Sequence, residues 1–279
     1  MYKYIFNEFI SEHLWLIQYK MKKNIQDKLS EIEKNHTIKI LFAIECGSRA
    51  WGFPSIDSDY DVRFIYVRPF DEYLKINSKE DFIEFPINDE LDFYGWDLKK
   101  FFKLLYASNA SPFEWMQSPI FYSSETEFFE QIKECLPLYF CQQTTIHHYL
   151  GLTKKKLSVV QKEKVKVKSL FYILRSLLSA QFSLEKKEYP PMKLDQLLFL
   201  IKDEVILQEI DRLRLLKREK SESFVTSISS DLFTYLFNLY EELSKVDKVK
   251  SKGSFDLNFL NTIYLKLIND ANDRFFEKK

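Results

Sequence analysis

Strand signals stop less than halfway along this chain, and that constrains its fold more than any other feature. Up to about Pro119, short β-rich runs alternate with helical spacing; from roughly 125 to 275 the pattern is amphipathic helix throughout. Residues 22–35 place Ile25, Leu29 and Ile32 at helical intervals, and IKILFAI (38–44) reads as a buried strand. Tyr60 to Val67 is β-rich and is followed by Pro69. FIEFPI (82–87) and ELDFYGW (90–96) read as two further short strands. A helix then begins near Asp97, with Leu98, Phe101, Phe102 and Leu105 on one side. The pattern predicts an α+β unit over residues 1–122 followed by an all-helical unit over 123–279. With 279 residues and 46% hydrophobic content, the chain can supply both cores.

Basic and acidic residues balance at 41 each, so overall charge does not mark a nucleic-acid binder, and any such partner needs a local patch. Lysines 154, 155, 156, 162, 164 and 166 form the one biased segment. They read as a solvated face, with an RNA-binding patch as the alternative. The three cysteines, Cys46, Cys135 and Cys141, lack metal-type spacing and are odd in number; this argues against zinc or a disulfide framework and fits a reducing cytoplasm. Glu8, Glu12 and His13 interrupt the apolar residues at the start, so no signal peptide is expected, and no run is long enough to span a bilayer.

The chemistry concentrates in residues 45–67, ECGSRAWGFPSIDSDYDVRFIYV. After the strand ending near Glu45, Gly47 permits a close backbone turn. Ser48 offers a hydroxyl and a backbone N–H to phosphate oxygens, so the pair reads as a phosphate-holding corner. The P-loop spacing GxxxxGK[ST] is absent. Asp59 and Asp61 lie two residues apart, which puts both carboxylates on one strand face with backbones roughly 6 to 7 Å apart. Carboxylates so placed can share Mg²⁺, and two such ions can hold a triphosphate and activate an attacking hydroxyl. Arg63 continues that face as a cation for phosphate charge. Asp57 falls outside the spacing and reads as a cap or turn residue. In the helix 168–182, Lys168, Tyr172, Arg175 and Ser179 form a narrow polar stripe opposite Leu170, Leu174, Leu177 and Leu178. The stripe is either solvent-facing surface or a cleft wall that presents Lys168 and Arg175 to phosphates. Trp51 and Trp96 read as packing residues, and His147 and His148 as structural ones.

Glu45 and Gly47–Phe53, followed by Asp57–Val67, resemble the signature of nucleotidyltransferases associated with RNA repair in bacteria and phages, the RlaP or YcgL-like group of the DNA polymerase β superfamily. Cys46 stands where that group has a small residue. The resemblance continues through LDFYGWDLKK (91–100), SPFEWMQSPIFY (111–122) and KSLFYILRSLLSAQF (168–182). It implies a polymerase-β-like nucleotidyltransferase domain before the helical one. It also implies a third acidic residue on a neighbouring strand, for which Asp92 is the best match; Asp97, at a natural N-cap position, and Glu90 are weaker candidates. The family likeness at Lys168 and Arg175 favours the cleft-wall reading, with Tyr172 between them and Arg49 on the motif side. Glu114 and Trp115 also match, and read as interdomain packing. The resemblance therefore implies an enzyme that uses Mg²⁺ (two ions, with Mn²⁺ as substitute) and a nucleoside triphosphate to place a nucleotide on a hydroxyl, that of an RNA or tRNA end. A toxin-like transferase acting on a protein or a tRNA, and a nucleotide-binding protein without turnover, are the competing readings.

Overall fold

The computed structural model describes residues 2–77, 79–85, 90–246 and 255–277, with side chains from Tyr19 onward. Strand β1 (Lys39–Glu45) is nearly all apolar and is buried on both faces, as a central strand must be. It runs antiparallel to β2 (Tyr60–Val67) and to β5 (Phe121–Ser124). On the other side of β2 lies β4 (Leu91–Asp97), in parallel, edged by the antiparallel β3 (Phe82–Glu84), giving the order β3-β4-β2-β1-β5. The mixed sheet conforms to the α+β expectation. The end of the expected strand 82–87 lies outside the described residues.

Period-two alternation sorts the sheet's side chains into two cores. Val62, Phe64, Tyr66 and Phe93 pack against Ile25, Leu29 and Ile32 of helix α1 (Tyr2–His36). Ile44, Ile65, Val67 and Trp96 face the other way, onto Leu98, Phe101 and Leu105 of α3 (Leu98–Tyr106). A register shift between Ile40 and Phe42 lets Leu41 and Phe42 both join that second core. Asp97 ends β4 and caps α3, its carboxylate accepting from the backbone N–H of Lys99 at 2.8 Å. That employment removes it as a third metal ligand. Glu90 is exposed, and its carbonyl takes the Tyr60 N–H at 2.8 Å.

The short helix α2 (Gly47–Trp51) turns the chain from β1 into β2, and α4 (Ala110–Trp115) precedes β5. Beyond β5, helices α5 (Thr126–Cys135) and α10 (Leu257–Ala271) cover the same sheet face as α3, through Phe128, Phe129, Ile132, Leu260 and Leu267. Helices α6 (Gln142–Leu157), α7 (Val167–Lys186), α8 (Glu204–Glu219) and α9 (Ser230–Ser244) build a separate helical core, joined by a two-residue ribbon of β6 (Val165–Lys166) with β7 (Val225–Thr226). The units expected on either side of residue 122 thus share a core along the seam formed by α5 and α10. Among the described residues no helix is long and apolar enough to cross a membrane. Cys46, Cys135 and Cys141 are all buried.

Candidate active site

Antiparallel pairing of β1 and β2 folds the motif back on itself, so Gly47 comes to rest against Asp61. Gly47 has φ +61°, and a Cβ added there would lie 1.9 Å from Oδ2 of Asp61. Any side chain would therefore displace the carboxylate. Glycine is required both by conformation and by this contact.

Asp61 and Arg63 share the face of β2 that looks toward α3, and Asp92 is the register partner of Asp61 on β4. In-register partners on parallel strands point the same way, so the two carboxylates are brought together by backbone pairing alone. Arg63 spans them: Nη2 donates to Oδ1 of Asp61 at 3.0 Å and to Oδ2 of Asp92 at 2.7 Å, and Nη1 donates to the Asp92 carbonyl at 3.0 Å. Burial raises the Asp61 carboxyl above its ordinary range; Arg63 pulls it back, while Asp92 and Asp59 push it up. Asp59 precedes β2, and its carbonyl accepts from Nε of Arg49 at 3.1 Å.

Carboxylate oxygens in this arrangement are the hard donors that Mg²⁺ takes. Among the described residues, however, no three His, Cys, Asp or Glu side chains form a group able to hold a metal ion. Convergence of all three aspartates is thus not observed. The pair Asp61 and Asp92 is drawn together with a guanidinium as its balancing cation. Donor chemistry and register fit a divalent ion at Asp61 and Asp92, with Asp59 within electrostatic reach.

The remaining expected residues divide. Arg49 is a buckle: Nη2 donates to the Ser58 carbonyl at 2.6 Å, and its guanidinium lies 3.8 Å from the centre of the Tyr60 ring. The buried Ser48 hydroxyl donates to Oγ of Ser58 at 3.0 Å. Lys168 reaches the motif and ion-pairs with Glu222, whose Oε1 accepts from the Ser58 hydroxyl at 2.9 Å. Tyr172 packs edge-on to Trp51 with ring centres 4.9 Å apart. Burial and the charges of Asp61 and Glu222 raise its phenol pKa. Lys156 stands 5.0 Å over the same ring, so the lysine-rich segment begins beside the site.

Arg175 departs from expectation. It is 3% exposed and faces the interior, with Nη2 on Glu114 at 2.9 Å, Nε on the Met192 carbonyl at 2.9 Å, and its guanidinium 4.4 Å from the Trp51 ring. A polar stripe at helical spacing ends on a partly buried carboxylate here, because Glu114 of α4 supplies an internal partner. Arg63 likewise holds carboxylates rather than pointing into open space.

Two residues outside the sequence-derived set belong to the site. Glu45, fully buried, accepts the Asp61 N–H on Oε1 at 2.8 Å and the Tyr122 hydroxyl on Oε2. Burial, opposed by these two hydrogen bonds, raises its carboxyl to about 7. A carboxylate ending an otherwise apolar strand was the available signal. Glu222 carried none, lying in a polar loop far along the chain.

A family model described as the RNA repair pathway DNA polymerase beta family, RlaP, matches residues 21–265. Over 251 residues the chain is 35% identical to the uncharacterized protein YcgL of Bacillus subtilis (strain 168), covering 87% of this chain and 96% of that protein. Among solved structures, a nucleotidyltransferase-like protein from Exiguobacterium sibiricum 255-15 aligns at a TM-score of 0.30 and 11% identity, over 78% of this chain and 74% of that one.

Proposed function

Because the chain belongs to the RNA repair pathway group of the DNA polymerase β family, we propose that it is a Mg²⁺-dependent nucleotidyltransferase, transferring a nucleoside monophosphate from an NTP to the hydroxyl end of an RNA, such as a tRNA, with release of pyrophosphate. The observation that carries this reading is the in-register pair Asp61 and Asp92 beside the glycine-lined turn at Gly47. Asp61 and Asp92 would hold Mg²⁺, or Mn²⁺ in its place, with Asp59 moving in to complete the set; the bound ion would supply charge stabilisation for in-line displacement at phosphorus.

The protein's own groups supply the rest. Asp92 stands beside Asp61 as the carboxylate to accept the proton of the attacking hydroxyl. Glu45 grips the Asp61 backbone N–H and so fixes where that carboxylate starts. Gly47 and Ser48 form the corner for the terminal phosphates. Lys168 supplies positive charge from α7, and Tyr172 walls that side. Arg49 acts through position, holding the carbonyls of Ser58 and Asp59 so that the acidic pair enters β2 in register.

The test is incubation with each labelled NTP, Mg²⁺, and total RNA or protein extract, with Asp61→Asn in parallel. Label should appear on RNA with the parent protein and vanish with the variant. Label on protein would replace the acceptor. Absence of label in every fraction would refute the reading.

A further inference from the structure

The proposed reaction makes no use of Glu222. It lies between α8 and β7, and its side chain is 20% exposed. Its carboxylate accepts from the Ser58 hydroxyl at 2.9 Å and ion-pairs with Lys168, while its backbone N–H donates to Oδ1 of Asp57 at 2.9 Å. Ser58 also takes the Ser55 N–H at 2.9 Å and the Ser48 hydroxyl at 3.0 Å. Lys217, at the end of α8, is buried and donates to Oγ of Ser55 at 2.7 Å. The helical unit therefore reaches across to the 53–58 loop and delivers one negative group to a hydroxyl and an ammonium. These are the donor types that hold a phosphate oxygen.

We propose that Ser58 and Lys168 form a phosphate subsite in which the Glu222 carboxylate stands in for the terminal phosphate of the nucleotide, so that binding a triphosphate displaces Glu222. The inference rests on the nucleotidyltransferase reading for the identity of the ligand. The subsite adjoins the acidic pair: the charge of Lys168 acts on Asp61, and those of Asp61 and Glu222 both act on Tyr172. A carboxylate and a phosphate cannot share one ammonium without repulsion, so the resident anion lowers affinity for the incoming one. Anchoring of the Glu222 backbone at Asp57 lets the side chain swing away while the loop stays attached.

The experiment measures binding of inorganic tripolyphosphate and of a non-hydrolysable NTP by calorimetry to the parent, Glu222→Gln, Glu222→Ala, Lys168→Met, and Glu222→Gln combined with Lys168→Met. Glutamine keeps an acceptor for Ser58 and removes the charge; alanine covers the case in which glutamine holds the same bond too well. Both single variants at Glu222 should bind about tenfold tighter than the parent, roughly 1.4 kcal/mol. That gain should disappear in the Lys168→Met background, since the competition is for that ammonium. Unchanged or weaker binding by both Glu222 variants overturns the subsite, as does a gain that persists without Lys168. Tighter tripolyphosphate binding together with no transfer to any acceptor leaves the subsite standing and removes the proposed activity. Transfer by the parent with unaltered affinity in the variants does the reverse.

Discussion

Asp61 is held from three directions, and each constrains a different property. Glu45 takes its N–H, Gly47 makes room for Oδ2, and Arg63 takes Oδ1. Asp61→Asn keeps the shape and the Glu45 contact but removes the charge, so transfer should fall at least a hundredfold, measured as initial rate with labelled NTP. The thermal midpoint should move little, because loss of the Arg63 attraction is offset by relief from burial and from the charges of Asp92 and Asp59. An unfolded variant would make Asp61 structural. Gly47→Ala should be worse in both respects: its Cβ overlaps the carboxylate and its φ is positive, so about 1–3 kcal/mol of stability goes with the activity. Denaturant titration checks the first loss and the transfer assay the second. At this scale the placement of Asp61 and Arg63 on one face was legible in the sequence, since a two-residue spacing along a strand fixes which side chains point together; Asp59 stands before the strand, and Asp92 came only from the family resemblance. The contacts of Arg63, Glu45 and Glu222 were not. Asp92 for Arg63, Tyr122 for Glu45 and Ser58 for Glu222 are partners distant in sequence, and no local pattern encodes the choice between phosphate and carboxylate for a guanidinium.

Elements were legible wherever periodicity was long. The strand at 38–44, the strand from Tyr60 and the helix after Asp97 all stand where alternation or helical spacing put them. β5 was missed because it is four residues long and derives its stability from pairing with β1, a partner some 80 positions earlier. α3 shows how tightly one joint is made. Asp97 is 3% exposed, caps the helix and accepts from the Tyr73 hydroxyl at 3.1 Å, with Arg68 3.6 Å away. Burial outweighs these partners and raises its carboxyl to about 6, above its ordinary value of 3.8. A carboxyl raised on folding binds its proton more tightly in the native state. Its contribution to stability is therefore complete below the unfolded value and is lost as pH climbs to about 6. Asp97→Asn retains a capping oxygen and cannot ionise. From well below pH 3.8 to well above 6 the parent should lose about 3 kcal/mol relative to the variant, most of it between those two values, read by denaturant titration. A constant difference would mean that Arg68 and Tyr73 hold the charged form after all.

Across the whole molecule, the sheet and the helical core meet through the motif itself. Trp51, the last residue of α2, and Phe53, just after it, enter the helical side, Phe53 against Phe171 at 5.2 Å between ring centres and Trp51 against Tyr172 and Arg175. Arg175 of α7, Glu114 of α4 and Tyr149 of α6 complete the joint, the Tyr149 hydroxyl donating to Oε1 of Glu114 at 2.7 Å. A guanidinium 3% exposed, with both of its donor contacts internal, cannot also serve a nucleotide without breaking this joint. Replacing it by Met leaves the partly buried Glu114 with one hydroxyl for a partner, and breaking a fully buried pair costs about 3–5 kcal/mol, which is an upper bound here because Glu114 keeps some access to water. Arg175→Met should therefore unfold at markedly lower denaturant, and adding Glu114→Gln should recover part of the loss by removing the stranded charge. Affinity for a non-hydrolysable NTP, measured where the variant is still fully folded, should fall far less than in Lys168→Met, because Lys168 stands at the Ser58–Glu222 contact beside the acidic pair, whereas the donors of Arg175 are taken up by Glu114 and the Met192 carbonyl. If instead Arg175→Met keeps its stability and loses nucleotide affinity, the joint opens when nucleotide enters, and the arginine turns from Glu114 to the phosphates.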